Sequence, residues 1–359
     1  MGQYPSHDVS GYRIAPEWEP HQSTIMSWPT GWEGLNYNVQ SDIARVAQAV
    51  SKFEYVQVLV PPNHVSQAKE MLGKGIDIIP MQVNDLWARD TVPLFLNKGK
   101  DMVGVNYNFN GWGRKQPYKY DARVASNLFD YLDLPGFRSE LVAEGGSIET
   151  DGEGTLLMTE SSIVNKNRNP GISRDEIEKI FKSELGVQKV IWVKGVIGHD
   201  ITDSHIDSLA RFVAPGVVMV SRPAPAPAND KESQVWIKQY EQAMGVLNNS
   251  TDAKGRKLQI IELPEPDPAK VRKLPRRDIK LCKDIDLDCE NGGLTSYVNF
   301  YIVNGGIVMP QFGDKAADSK AVEIVQKAFP NRKVVAVNID YVAVGGGGIH
   351  CATHEIPRV

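Results

Sequence analysis

The stretch Ser147-Ile-Glu-Thr-Asp-Gly-Glu-Gly-Thr-Leu-Leu-Met-Thr-Glu160 predicts a β-hairpin. Asp151-Gly152 stands at its tip, and this dipeptide favours the tight turns that join antiparallel strands. A helix is predicted next, near 173–185, with Ser173 as its N-cap and Glu176 as the capping-box partner. The run Lys189-Val-Ile-Trp-Val193 then predicts a strand, so hairpin, helix and strand form one unit.

The same order of elements returns along the chain. Three further hairpins are predicted at 91–107, 207–221 and 296–312. Each is followed by a predicted helix, near 121–133, 231–247 and 318–328, and by a predicted strand at 141–143, 258–262 and 333–337. A fifth unit results if the closing strand, which runs into Cys351, pairs with the N-terminal run 23–28. That run precedes a helix at 41–52 and a strand at 55–60.

Five similar units predict an α/β fold that closes into a ring and forms a single domain over residues 1–359. Short hairpins require antiparallel pairs, which a doubly wound parallel sheet lacks. A hydrophobic content of 42% and a charged content of 23% are those of a globular protein with a sizeable core. The Pro-rich segment 222–228 and the charged segment 264–291 are predicted to be surface loops. Whether 264–291 covers a pocket stays open.

Charge and hydropathy exclude some classes of partner. A net charge of −4 and a pI near 6.0 give no reason to expect a nucleic acid or a membrane surface. No apolar run approaches the roughly 18 residues of a membrane span, and residues 1–6 lack the apolar core of a signal peptide, which favours the cytoplasm. The spacing of Cys282 and Cys289 and the glycosylation sequons at Asn248 and Asn249 are instead typical of exported proteins. The compartment and a homo-oligomeric state both stay open.

Polar residues cluster where one unit ends and the next hairpin begins. These junctions carry Asp85, Trp87, Asp90, Glu144, Asp203, His205, Asp207, Asn299 and, after Gly348, Cys351. In a ring of units they converge near one axis, so they are predicted to line one pocket. Converging carboxylates with neutral walls select a planar cation, because carboxylates pair bidentately with a guanidinium. Nucleotide binding is unsupported, since no Gly-x-Gly-x-x-Gly opens a helix.

Cys351 follows the glycine run 345–348 and stands between His350 and His354. Glycines allow the backbone to approach a ligand closely. A cysteine with imidazoles nearby is predicted to have a lowered pKa and to attack as a thiolate. A small, buried structural cysteine is the alternative.

Other junction residues also have structural alternatives. Arg89 and Asp90 are able to form an internal salt bridge, and Glu144-Gly-Gly is compatible with a plain turn. His205 and Asp207 suit a core pair, while zinc is disfavoured because no second close pair of ligands occurs. The alternating acidic residues of 284–290 lack the EF-hand glycine and are interpreted as a solvated loop rather than a calcium site. No metal or organic cofactor is expected.

Seven motifs, in order, resemble those of the agmatine deiminase family. They are Pro16-Glu-Trp-Glu-Pro-His21, Asp85-x-Trp87-x-Arg-Asp90, Phe109-Asn-Gly-Trp112-Gly, Glu144-Gly-Gly-Ser-Ile, Thr202-Asp-x-His205-x-Asp207, Ser296-Tyr-x-Asn299-Phe-Tyr and Gly347-Gly-Ile-His-Cys351. The family is related to the bacterial peptidylarginine deiminases within the guanidine-modifying (pentein) superfamily. The resemblance spans residues 12–356 and implies a five-bladed α/β propeller of ββαβ units around a central active site.

The resemblance also implies roles for the site residues. Cys351 would attack the guanidinium carbon and form a covalent thiouronium, with His205 as general acid and then base. Asp90 and Asp207 would hold the guanidinium, and Glu144 would steady His205. The substrate's positive charge would favour the Cys351 thiolate. Residues expected to contact the substrate are Trp87, Asp85, Trp112, Asp203, Asn299 and Gly348.

The chain departs from the family pattern at positions near the site. Where agmatine deiminases usually carry an acidic residue four positions before the histidine, this chain has Ile201, with Asp200 as a candidate replacement. Ser204 and Arg114 each stand where glycine is usual. Agmatine is the expected substrate, giving N-carbamoylputrescine and ammonia. The alternatives are deimination of peptidyl or free arginine or another alkylguanidine, amidino transfer to an amine, and a non-catalytic guanidine- or polyamine-binding protein.

Overall fold

The computed structural model describes residues 8–285, 287, 289 and 293–359. The fold is mixed α/β, and the strands among these residues form five separate sheets. Four of the sheets repeat one order, in which a hairpin is followed by a helix and by a strand parallel to the second hairpin strand. The recurrence predicted from the sequence is therefore confirmed.

The four sheets follow one another along the chain. The first contains strands Arg13–Ile14, Leu94–Lys98, Asp101–Asn106 and Gly136–Arg138, with helix Val124–Leu132. The second contains Glu149–Thr150, Thr155–Thr159 and Lys189–Val193, with helix Arg174–Leu185. The third contains Ala210–Ala214, Val217–Arg222 and Gln259–Pro264, with helix Lys231–Asn248. The fourth contains Tyr301–Val303, Gly306–Gln311 and Lys333–Asn338, with helix Lys315–Ala328.

The fifth sheet joins the two ends of the chain. Strand Thr353–Pro357 runs antiparallel to His21–Ser27, and this confirms the predicted pairing of the closing strand with the run 23–28. Val56–Val60 and Ile76–Pro80 extend the sheet in parallel. Helices Asn36–Val50 and Val65–Leu72 connect these strands. The segment that carries Cys351 thus leads directly into the strand that completes the sheet.

Short helical turns occupy several junctions between sheets. They are Ala88–Thr91, Gly145–Ser147 and Ile206–Ser208, and the last two are single 3₁₀ turns. The remaining short elements are Pro62–His64, Gly111–Arg114, Asp121–Arg123, Glu160–Ile163, Arg276–Asp284 and Asp340–Val344. The junction turns place Asp90, Gly146 and Asp207 at buried positions.

The predicted strand at 141–143 is wrong. The strand of this unit is Gly136–Arg138, which pairs with residues 104–106. A Cβ on Gly104 or Gly136 would lie 2.1 or 2.5 Å from the Phe129 ring, so the two glycines let the helix pack closely on this sheet. Residues 141–143 bond elsewhere, with Ala143 N donating to Tyr107 O at 3.0 Å.

Two other boundaries differ from the prediction. The helix expected at 41–52 begins at Asn36, because Leu35 and Val39 already pack in the core. The segment 264–291, predicted to be a loop, contains helix Arg276–Asp284, whose Cys282 is fully buried and forms a disulfide with Cys289. Positions 286, 288 and 290 of the acidic run lie outside the described residues.

Among the described residues, no helix is both long enough and apolar enough to cross a membrane.

Candidate active site

The predicted junction residues meet at a cavity of about 520 Å³. Its wall includes Asp85, Trp87, Asp90, Trp112, His205, Asp207 and Cys351 from the predicted set, together with Gly31, Trp32, Lys115, Gln116, Ile201, Thr202, Ser208, Ile285, Leu287 and Gly345 to Gly347. The convergence predicted from the order of elements is confirmed for these residues. Segment 264–291 contributes Ile285 and Leu287 to this wall.

His205 stands between two carboxylates. Its Nε2 lies 3.2 Å from Glu144 Oε2, and its Nδ1 lies 3.8 Å from Asp90 Oδ1. Burial alone disfavours the imidazolium, but Asp90 and Glu144 outweigh it and raise the pKa of His205 to about 9. The group is therefore protonated at neutral pH and able to donate a proton. Because Nε2 is engaged by Glu144, Nδ1 is the nitrogen left for a ligand.

Glu144 is held from behind by Arg168. The guanidinium Nε donates to Glu144 Oε1 at 2.7 Å, and both side chains are fully buried. Burial favours the neutral acid, yet Arg168 and His205 keep the pKa of Glu144 below its usual range. Arg168 also bonds Asp203 at 2.9 Å through Nη1. Sequence reasoning missed Arg168, because nothing in its loop distinguishes a buried arginine from an exposed one.

Asp207 faces both the cavity and a buried histidine. His350 Nδ1 lies 2.8 Å from Asp207 Oδ2, and His350 Nε2 lies 2.9 Å from Glu17 Oε2. Burial opposes the charge of Asp207, but the hydrogen bond and positive charge of His350 lower its pKa to about 2. Glu17 in turn pairs with Arg89 and Arg211 at 3.1 and 3.0 Å. His350 therefore ties a cavity carboxylate to a buried ion network.

Arg89 belongs to this network and not to a pair with Asp90. Its guanidinium bonds Glu17 at 3.1 Å and Glu355 at 2.9 Å, so the alternative of an Arg89–Asp90 salt bridge is wrong. Asp90 instead accepts from the Trp112 indole N–H at 2.8 Å and from Gly146 N at 2.9 Å. Burial and nearby carboxylates raise the pKa of Asp90, although His205 opposes the rise.

Cys351 is half-buried, and its Sγ lies 3.4 Å from Asp207 Oδ2. Asn299 holds it from the other side, since Asn299 Nδ2 lies 3.3 Å from Sγ and Asn299 Oδ1 accepts from Cys351 N at 3.3 Å. The predicted lowering of the thiol pKa is wrong. Burial, with the charges of Asp207 and Asp90, raises the pKa of Cys351 well above its usual value.

Known proteins share the sequence and the fold of this chain. A profile of the Porphyromonas-type peptidyl-arginine deiminase family matches residues 13–357. The chain belongs to this family. It is 36% identical to an agmatine deiminase of Pseudomonas aeruginosa, covering 97% of this chain and 96% of that one. It is 34% identical to an agmatine deiminase of Medicago truncatula, covering 97% of each. A structure of the Enterococcus faecalis agmatine deiminase superposes with a TM-score of 0.87 at 32% identity, covering 100% of this chain and 98% of that one.

The resemblance drawn from the seven motifs is thus confirmed. In this family member, three residues predicted to contact the substrate lie outside the cavity wall: Asp203, Asn299 and Gly348. Asp203 is fully buried between Arg168 and Lys115, 2.9 and 2.8 Å away. A Cβ on Gly348 would lie 2.4 Å from Asn299 Oδ1, so this glycine admits the side chain that holds Cys351.

Two of the departures from the family pattern coincide with left-handed backbone. Ser204 has φ 70° and Arg114 has φ 66°, conformations that favour glycine. Asp200 stabilises the first of them, because its carboxylate accepts from Ser204 N at 3.1 Å and from Thr202 N at 2.7 Å. Asp200 is turned into its own loop and does not line the cavity, so it does not replace the acid missing at Ile201.

Proposed function

We propose that this protein is a guanidine deiminase that hydrolyses agmatine to N-carbamoylputrescine and ammonia. The observation that carries the proposal is one cavity in which a free thiol, a protonated imidazole and two carboxylates face the same space. A protein that only binds guanidines needs the carboxylates but not the thiol. The agmatine deiminases reported above cover nearly the whole chain, and this supports agmatine as the substrate.

Asp90 and Asp207 are the proposed guanidinium-binding pair. Both line the cavity, and a guanidinium offers parallel N–H donors that match carboxylate oxygens. Trp112 orients Asp90 through its indole N–H, and His350 orients Asp207. The bound cation would offset the two negative charges that hold the thiol protonated, so substrate binding itself favours the Cys351 thiolate.

The chemical steps use His205 first as a general acid and then as a general base. The thiolate adds to the guanidinium carbon, forming the C–S bond of a tetrahedral adduct. The C–N bond to the terminal nitrogen then breaks, and His205 donates its proton so that ammonia leaves and an S-alkylthiouronium remains. Neutral His205 next takes a proton from water, whose oxygen attacks the same carbon. The C–S bond then breaks and the second proton of the attacking water passes to solvent, where the released ammonia becomes ammonium. The N-alkylurea leaves, and the thiolate and the imidazolium are restored.

Glu144 is proposed to keep His205 in position and charged. Its Oε2 lies 3.2 Å from Nε2, so the imidazole presents Nδ1 to the cavity. A Cβ on Gly146 would lie 2.6 Å from that Nδ1, so glycine leaves the space next to it open. Arg168 would keep Glu144 ionised while the proton moves.

We further propose that the five sheets are the blades of a five-bladed α/β propeller within one domain. The repeated hairpin–helix–strand order supports it, as does the pairing of the last strand with an N-terminal strand. A ring of this kind would bring the junction turns to one axis, where the cavity lies.

The test is ammonia release from agmatine, free arginine and a peptide with internal arginine. We expect turnover of agmatine by the wild type and none by Cys351→Ala, and a quenched reaction should carry the thiouronium mass on the peptide with Cys351. Normal turnover by Cys351→Ser would refute the mechanism. Release of ammonia from the peptide alone would make the protein a peptidylarginine deiminase.

A further inference from the structure

The cavity changes character from its bottom to its mouth. At the bottom, Asp207 is fully buried and Asp90 is 8% exposed. At the mouth, Ile201, Ile285 and Leu287 are half-buried, and Lys115 is exposed. A ligand whose guanidinium lies between Asp90 and Asp207 would therefore direct its other end past these apolar side chains.

An aromatic wall lies on the glycine run that leads to the nucleophile. A Cβ on Gly345 would lie 2.3 Å from Trp32 Cη2, and a Cβ on Gly347 would lie 2.2 Å from Trp87 Cζ3. Both tryptophans line the cavity. Their rings thus offer a polarizable, apolar surface to an alkyl chain.

Asp85 holds the two tryptophans in place. Its Oδ1 accepts from the Trp32 indole N–H at 2.9 Å, and its Oδ2 accepts from the Trp87 indole N–H at 3.1 Å. Oδ1 also accepts from Leu86 N at 2.8 Å. Because three N–H groups already use this carboxylate, Asp85 acts as a positioning residue for the wall rather than as an ion-pair partner for substrate.

The mouth presents a fixed cation instead of a carboxylate. Lys115 Nζ lies 2.8 Å from Asp203 Oδ2, 3.0 Å from Ile201 O and 3.4 Å from Asp200 O. Among the described residues that line the cavity, the carboxylates are Asp85, Asp90 and Asp207. Asp90 and Asp207 are buried at the bottom, and the half-buried Asp85 is engaged by the two indole N–H groups. A distal ammonium would meet apolar side chains and a positive charge.

We infer that the site recognises the guanidinium and the alkyl chain of its substrate and makes little use of a distal ammonium. The inference rests on the proposed deiminase function. It names the substrate class as alkylguanidines, including those whose far end is uncharged. A site built to bind a polar group rejects the analogue lacking it by about 10⁴-fold or more, whereas apolar walls discriminate by roughly 10- to 200-fold.

The first experiment compares agmatine with 1-butylguanidine, which has the same four-carbon chain without the amine. We expect the wild-type kcat/KM values for ammonia release to agree within about tenfold, because the discrimination comes from apolar walls. A larger preference for agmatine would overturn the inference and leave the proposed function intact. Turnover of neither compound would overturn the proposed function and the inference with it.

A second experiment introduces the missing charge. Ile201→Glu places a carboxylate at the mouth, where the charge of Lys115 is already paired with Asp203 at 2.8 Å. We expect the agmatine to butylguanidine ratio to rise by about tenfold or more, as for an added charge pair. Ile201→Gln is the control, because glutamine has the shape of glutamate without its charge. This variant should leave the agmatine to butylguanidine ratio near the wild-type value. An unchanged ratio in folded Ile201→Glu would contradict the inference, and if that variant does not fold, the wild-type ratio decides.

Discussion

Replacing His350 by glutamine tests whether the buried histidine fixes the catalytic carboxylate. Both ring nitrogens of His350 face carboxylate oxygens, Asp207 at 2.8 Å and Glu17 at 2.9 Å. Both contacts are hydrogen bonds only if both nitrogens carry protons. A glutamine amide has its donors at one end, so at least one of the two carboxylates loses its contact with residue 350, and both lose the positive charge of the imidazolium.

The size of the effect follows from that lost contact. A hydrogen bond to a charged group contributes about 1.5–3 kcal/mol, and about 1.36 kcal/mol is tenfold in rate, so kcat/KM should fall roughly 10- to 150-fold. In the wild type, Asp207 stays ionised down to about pH 2 because its pKa is depressed. Without the imidazolium that pKa rises toward its ordinary value. The raised pKa of Asp90 sets the acid limb of the wild type, so the protonation of Asp207 should appear as a ratio of mutant to wild-type kcat/KM that falls further below about pH 4.

The assay is the pH dependence of kcat/KM for ammonia release, with thermal unfolding to confirm the fold. His354→Gln is the matched control, since His354 is also a buried histidine, three residues after Cys351. Among the described residues its ring bonds the Glu355 carbonyl, at 3.0 Å, and no carboxylate. We expect its acid limb to coincide with that of the wild type. If folded His350→Gln kept both the wild-type kcat/KM and the wild-type acid limb, the reasoning about His350 would be wrong.

Four further outcomes follow from the geometry and the charges. Gly146→Ala should abolish turnover, because its Cβ would lie 2.6 Å from His205 Nδ1. Gly245→Ala is the control and should be fully active, since its Cβ would meet nothing within 4 Å. An active Gly146→Ala would contradict the argument that glycine is needed beside His205. Ser204→Gly should be more stable than Ser204→Ala by about 1 kcal/mol in unfolding free energy, because glycine adopts φ 70° without strain. Calorimetry should therefore show the higher melting temperature for Ser204→Gly, and the reverse order would refute the prediction. Cys351 should react with iodoacetamide at pH 7.5 more slowly than free cysteine because its pKa is raised, as mass spectrometry of the alkylated peptide would test; rapid labelling would refute it. The raised pKa of His205, about 9, contributes stability that is complete below about pH 6.5 and is lost as the pH rises through 9. The melting temperature should therefore fall over that range more in the wild type than in His205→Gln. Equal falls in the two proteins would contradict this prediction.

The order of elements was predictable because hairpins, caps and strands have local signatures. The capping box at Ser173 and Glu176 forms as predicted, and so does the pairing of the closing strand. The strand at 141–143 failed because two glycines, at 104 and 136, let Phe129 pack against a different segment. Close packing of this kind depends on the whole fold, and residue spacing alone does not reveal it.

The cavity residues were predictable as a set, whereas their ionisation was not. Asp90, His205, Asp207 and Cys351 meet as expected, yet the thiol pKa is raised rather than lowered. Its sign depends on which charges lie nearest, and a carboxylate, not an imidazole, lies 3.4 Å from Sγ. Arg168 was missed for the same reason, since only the folded chain brings it to Glu144.

The closing strand also constrains how the enzyme is made. Cys351 stands two residues before Thr353–Pro357, whose partner strand begins at His21. During translation the N-terminal strand stays unpaired on that edge until residues 353–357 have been made. We therefore expect chains that lack 353–357 to leave the segment with Cys351 unanchored and to release no ammonia from guanidines, even where their earlier sheets have folded.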